Sequence, residues 1–148
     1  MTPPIEPKIL PLVNALNETK IVETFSSCEG HYDDDIHNLD IEFDEKEIMD
    51  RGRAEVRFDP APNISLDIIE RMLIYIISEF DKEHGFYPSM VYSKKIYVPN
   101  SQLNIEFVFS LEIRPFNRLE DSIKKRLDTD RAIIQTTEIV NRFKRVYL

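Results

Sequence analysis

A chain of 148 residues with 42% hydrophobic and 31% charged residues has the size and apolar content of one folded domain with a true core, which excludes an intrinsically disordered chain. No run approaches the roughly 18 consecutive apolar residues of a membrane span, and the Pro-rich start lacks the basic and apolar regions of a secretory leader. Cys28 is the one cysteine and the net charge is −8, so no disulfide framework and no broadly basic surface are available, and a cytoplasmic protein without membrane contact is expected.

In chain order, Pro3, Pro4 and Pro7 mark an extended lead-in, and Ile9, Leu10, Leu12, Val13 and Leu16 follow at helical spacing through Asn17. Lys20 to Ser26 reads as a strand with Ile21, Glu23 and Phe25 on one face and Val22 and Thr24 on the other. It leads into Ser26-Ser27-Cys28-Glu29-Gly30-His31, the densest chemistry in the chain. Nine acids and one lysine then fill residues 33–50, with a short edge strand expected around Leu39, Ile41 and Phe43. Arg53 to Phe58 alternates as a strand with one wet face, ended by Pro60 and Pro62.

Ser65 is the expected N-cap of a helix that buries Ile69, Met72, Leu73, Ile76 and Phe80 and runs to about His84. Residues 89–98 form the next strand. Leu103, Ile105, Phe107, Phe109, Leu111 and Ile113 then define a long antiparallel strand whose other face, with Ser110 and Glu112, meets solvent. Asn117 and Glu120 suggest a capping box for a final helical region, with Ile123, Leu127, Ile133, Val140 and Phe143 inward and a break at Asp128-Thr129-Asp130. These elements imply a single α+β domain: a mainly antiparallel sheet of four to five strands with two to three helices packed on one face.

Charge divides the chain. Residues 118–148 hold eight Lys and Arg against five Asp and Glu, net +3, which leaves −11 for residues 1–117. A nucleic-acid contact is therefore open only to the basic C-terminal helix, around Lys124, Lys125, Arg126, Arg142, Lys144 and Arg145. The acidic segment, with Asp33, Asp34, Asp35, Asp40 and Glu42, suits a protein partner with a basic surface.

Cys28-Glu29-Gly30-His31 fits a type II turn with glycine at the positive-φ place, which sets Cys28 beside His31 at the end of a strand. There an imidazole can activate a thiol, Ser27 can orient a substrate, and Ser26, Ser27 and Gly30 can hold a small ligand. The same residues also suit a purely structural corner, with Cys28 packed as a small apolar side chain. No metal site is expected, because Cys28, His31 and His37 with an aspartate match no standard zinc spacing, and the acidic segment lacks the glycine of a calcium loop. The residues fix no cofactor.

The helix Ile9 to Asn17, the strand ending Glu23-Thr24-Phe25-Ser26-Ser27-Cys28-Glu29-Gly30-His31, and the strand Arg53 to Phe58 resemble small uncharacterised bacterial proteins. They also resemble the start of the wybutosine-synthesising methyltransferase-like family, over less than a quarter of the chain. Ser27, Cys28 and Gly30 match that family's Ser-Cys-x-Gly pattern, whereas His31 stands where an arginine is usual. The resemblance implies an S-adenosylmethionine-dependent enzyme acting on a nucleotide or RNA base, and with the turn's own spacing it suggests Cys28 as nucleophile or substrate contact and His31 as acid or base. Three functions thus stand side by side: a binding and interaction module, that enzyme, and an acidic inhibitor imitating nucleic acid.

Overall fold

The computed structural model describes residues 4–32, 52–84, 88–99 and 105–148. Helix α1 (Leu10–Glu18) and strand β1 (Val22–Cys28) are followed by β2 (Ala54–Pro60) and helix α2 (Leu66–His84). Strands β3 (Ser89–Pro99) and β4 (Ile105–Pro115) precede the long helix α3 (Ser122–Tyr147). All three strand pairings are antiparallel and the order across the sheet is β1-β2-β4-β3. The α+β fold with three helices on a four-stranded sheet is the architecture expected from the hydrophobic periodicities. The possible strand at residues 39–43 lies outside the described residues.

One apolar cluster joins the three helices to one face of the sheet. Ala54, Val56 and Phe58 from β2 and Phe109, Leu111 and Ile113 from β4 meet Leu12 and Leu16 of α1, Ile69 and Ile76 of α2, and Ile133 and Phe143 of α3. The Phe58 and Phe109 rings, opposite each other in the ladder, stack with centroids 5.6 Å apart. Burying rings of this size supplies several kcal/mol apiece, on the order of 25 cal/mol for each Å² removed from water.

Local sequence explains most element ends. Ser65 Oγ accepts the Asp67 amide at 3.1 Å, so the expected cap of α2 forms, and its buried stripe is Ile69, Met72, Leu73, Ile76 and Phe80. Lys20, which follows the Thr19 C-cap of α1, holds φ +66°, a place that glycine more often fills at a helix C-terminus.

The last helix departs from the sequence reading in three ways. Asp121, not Asn117, is the N-cap: its Oδ1 accepts the Lys124 amide at 2.8 Å, while Asn117 Oδ1 closes a local bond to Leu119 N. The helix is also continuous through Asp128-Thr129-Asp130. Both aspartates pair one turn back, Asp128 with Lys124 at 2.7 Å and Asp130 with Arg126 at 2.6 Å, so they do not compete for the helix backbone. Finally, Ile123 and Leu127 are exposed, because the first turns of α3 bury Lys125, Asp128 and Thr129 instead. Ser89 Oγ donates to Asp128 O at 3.2 Å, and Lys125 Nζ donates to Arg118 O at 3.3 Å, so this polar face is bonded.

The open face of the sheet is another correction. Glu112 is expected in solvent but is 1% exposed, because Arg53 Nε at 3.1 Å and Lys94 Nζ at 3.2 Å converge on its Oε1 and their stems cover it. Across the ladder Glu112 lies opposite Glu55, and Arg53 Nε reaches Glu55 Oε2 at 3.5 Å. The cation between them lets two carboxylates share one sheet face. Among the described residues, no helix is long and apolar enough to cross a membrane.

Candidate functional site

Strand β1 stays in the ladder to Cys28, which pairs with Glu55, so Ser26, Ser27 and Cys28 are strand residues. The register slips between Thr24, opposite Phe58, and Ser26, opposite Arg57, leaving Phe25 as the extra residue of a bulge. The expected simple alternation is therefore broken, and Phe25 is turned outward with 49% of its surface exposed. Asn17 at the end of α1 holds the bulge: its Oδ1 accepts the Thr24 amide at 3.0 Å and its Nδ2 donates to Thr24 Oγ1 at 2.8 Å.

No backbone hydrogen bond closes Cys28 to His31, so the expected type II turn lacks its closing bond. Gly30 does take the positive φ that its position suggested, +88°. A Cβ there would also lie 3.1 Å from Tyr32 Oη and 3.3 Å from the Arg53 carbonyl carbon, so both conformation and space call for glycine. The backbone groups of Glu29 and Gly30, inside this segment, are held by side chains. Arg126 Nη1 donates to Gly30 O at 2.5 Å and Nη2 to Glu29 O at 2.7 Å, a fork on two successive carbonyls. The Glu29 amide donates to Glu6 Oε1 at 3.0 Å, and the Gly30 amide to Cys28 Sγ at 3.4 Å. Glu29 Oε2 in turn accepts the Lys8 amide at 2.9 Å.

Tyr32 anchors the next step. Its ring lies 5.2 Å from the Arg126 guanidinium carbon and 5.8 Å from Lys125 Nζ, with the side chain 5% exposed. Its Oη is 2.8 Å from Thr129 Oγ1 and donates to Gly52 O at 3.3 Å. Burial pushes the phenol up to about 12, against the opposing bond from Thr129 and the charge of Arg126. In the unfolded chain it ionises near 10, so above that pH the unfolded state binds fewer protons and stability falls. The contribution is fully present below about pH 10 and is lost by about pH 12, amounting to about 2–3 kcal/mol. Denaturant midpoints measured from pH 9 to 12 are expected to drop with this profile and to flatten in Tyr32→Phe; equal slopes in both proteins contradict the assignment.

The described geometry brings together three groups. Glu6, Cys28 and His31 place one donor atom each within 4.8 Å of one another, and His31 Nε2 stands 3.2 Å from Glu6 Oε2. All three line a cleft of about 700 Å³ between the N-terminal segment and β1, along with Phe25, Ser26 and Ser27. Burial pushes the Cys28 thiol up, and the Glu6 and Glu55 carboxylates add to this, opposed by the Gly30 amide.

Of the residues selected from sequence, Ser26, Ser27, Cys28 and His31 line one cleft, whereas Gly30, expected to help hold a ligand, is not among its lining residues and serves the backbone conformation. The expected partner-binding carboxylates Asp33, Asp34, Asp35, Asp40 and Glu42 lie outside the described residues, as does His37. Glu6 was not legible in the sequence, since it sits in an extended lead-in more than twenty residues from the groups it meets. Arg126 was legible as a basic residue but not as the clamp. Within the C-terminal basic cluster, Lys124 pairs with Asp128, Lys125 is buried, Arg126 holds the turn, and Arg142 binds Glu83 and Tyr75. Four of its six cations are thereby engaged inside the fold.

Comparison with protein families, with curated proteins and with solved structures found no match to this chain.

Proposed function

We propose that the protein is a binding module whose site is the cleft beside Cys28, taking a small molecule with a flat ring and hydrogen-bonding groups. The observation that carries the proposal is the fixing of the cleft wall from both ends. Arg126 grips the Glu29 and Gly30 carbonyls, and Glu6 and Lys8 bind the same segment from the N-terminal side. A wall held in this way loses little conformational freedom when a ligand arrives, which favours affinity. Phe25 offers a ring face, and Ser26 and Ser27 offer hydroxyls beside it. The upward shift of the Cys28 thiol, set by its burial, works against nucleophilic chemistry at this place. The charge of −11 on residues 1–117 supports a further contact with a basic protein surface through residues 33–50.

Thermal shift with adenosine and with S-adenosylmethionine tests the small-molecule site. A ligand at about 100 times its dissociation constant stabilises by about 2.7 kcal/mol, so a rise in Tm is expected with at least one of them. Phe25→Ala is expected to remove the rise while leaving the free protein's Tm nearly unchanged, because the ring is half exposed. No rise with either probe, or a rise that survives Phe25→Ala, overturns the proposal.

A further inference from the structure

We infer that Glu6, Cys28 and His31 form a zinc site with its fourth position open to the cleft. The inference rests on the reading of the cleft as a binding site and names a class of ligand for it. Cys-x-x-His is a low-specificity pattern by itself; the third donor, Glu6, comes from another part of the chain and is visible only in the fold.

The donors have the chemistry and spacing that zinc requires. A tetrahedral zinc with bonds of about 2.0–2.3 Å holds its ligand atoms roughly 3.3–3.6 Å apart. Glu6 Oε2 and His31 Nε2 already stand at 3.2 Å, and all three donors lie within 4.8 Å of one another. The His31 side chain, 57% exposed, has room to adjust toward the shared centre. One thiolate, one imidazole and one carboxylate form a mixed S, N and O set that suits zinc and disfavours calcium and magnesium, which take oxygen ligands. With the thiolate and carboxylate both negative and the imidazole neutral, the divalent charge is balanced. On binding, the S–H bond breaks, the Zn–S bond forms and the proton passes to solvent.

A second observation concerns the surroundings of the donors. Glu6 Oε1 accepts the Glu29 amide, which leaves Oε2 aimed at the shared centre. Cys28 Sγ accepts the Gly30 amide at 3.4 Å, which fixes where the sulfur stands. Outer contacts of this kind orient ligands and tune their donor strength at metal sites. Both amides belong to the segment that Arg126 clamps, so the orientation is built into the fold. All three donors line the same cleft, and the position they leave open therefore faces it.

Titration of the full chain with Co²⁺, a spectroscopic stand-in for zinc, is the test. One Co²⁺ per chain is expected, with a thiolate charge-transfer band in the near ultraviolet and the intense visible bands of a tetrahedral ion, both lost on adding Zn²⁺. Cys28→Ser is expected to remove the charge-transfer band, and Glu6→Gln and His31→Ala each to weaken Co²⁺ by about tenfold or more. His31→Ala lies at the surface and keeps the fold, as its far-ultraviolet circular dichroism will show, so the test stands even if a change at Glu6 unsettles the segment. Absence of the charge-transfer band at saturating Co²⁺, or a band and affinity that survive both Glu6→Gln and His31→Ala, overturns the zinc site. The adenosine and S-adenosylmethionine shifts are repeated with a chelator present: a shift that persists beside a missing band overturns the zinc and leaves the cleft, whereas a missing band together with no shift, with or without chelator, overturns both.

Discussion

Arg126→Ala is expected to lower Tm by roughly 5–15 °C, from a loss of about 2–4 kcal/mol at 2–4 °C per kcal/mol for a chain of this length. The guanidinium makes two charge-assisted bonds to successive carbonyls, a salt bridge to Asp130 and a contact with the Tyr32 ring. Each bond of this kind is worth about 1.5–3 kcal/mol when buried; with the side chain one-fifth exposed, water recovers part of that sum. The carbonyls left behind have no turn bond to fall back on. Arg126→Lys tests the geometry, since a single ammonium cannot fork onto two carbonyls and is expected to restore less than half of the loss. A fall of under about 2 °C in Arg126→Ala would show that the segment holds itself without the clamp.

Phe58→Ala is expected to cost about 3–5 kcal/mol, the largest effect of any single change considered for this chain. The ring is fully buried, stacks on Phe109 and sits where β2 is flanked by both β1 and β4. Its loss leaves a cavity that neighbours on three elements can only partly fill. Urea unfolding should show a lower midpoint with an unchanged slope. Phe25→Ala is the matched control: the same deletion at a half-exposed ring is expected to change stability by under about 0.5 kcal/mol.

Periodicity made the fold legible, and it did so where burial follows a regular spacing. The stripe Ile69, Met72, Leu73, Ile76 and Phe80 and the alternation Phe109, Leu111, Ile113 are both buried as read. The reading failed where a tertiary contact replaced the local rule. The inward face of α3 begins with Lys125, Asp128 and Thr129, because Tyr32 and Ser89 supply polar partners that no local pattern announces. Glu112 looked like a solvent residue because alternation separates two faces and does not say what covers the second one. Within the site, the neighbouring pair Cys28 and His31 was readable from spacing, and so was the need for glycine at residue 30. Glu6 and Arg126 were not, since each reaches the segment across a long loop of sequence that carries no signature of where it returns.

The bulge at Phe25 also bears on which molecules can use the cleft. Among the described residues strand β1 is an outer strand of the sheet, and an even outer strand is an invitation for an extended peptide to add itself alongside. Here the slip between Thr24 and Ser26 puts the hydrogen-bonding groups out of step, and the Asn17 amide already occupies the Thr24 backbone N–H. A visiting peptide would find no continuous row to zip against. The irregular backbone of this strand thus discourages an added strand without a charged side chain placed for that purpose.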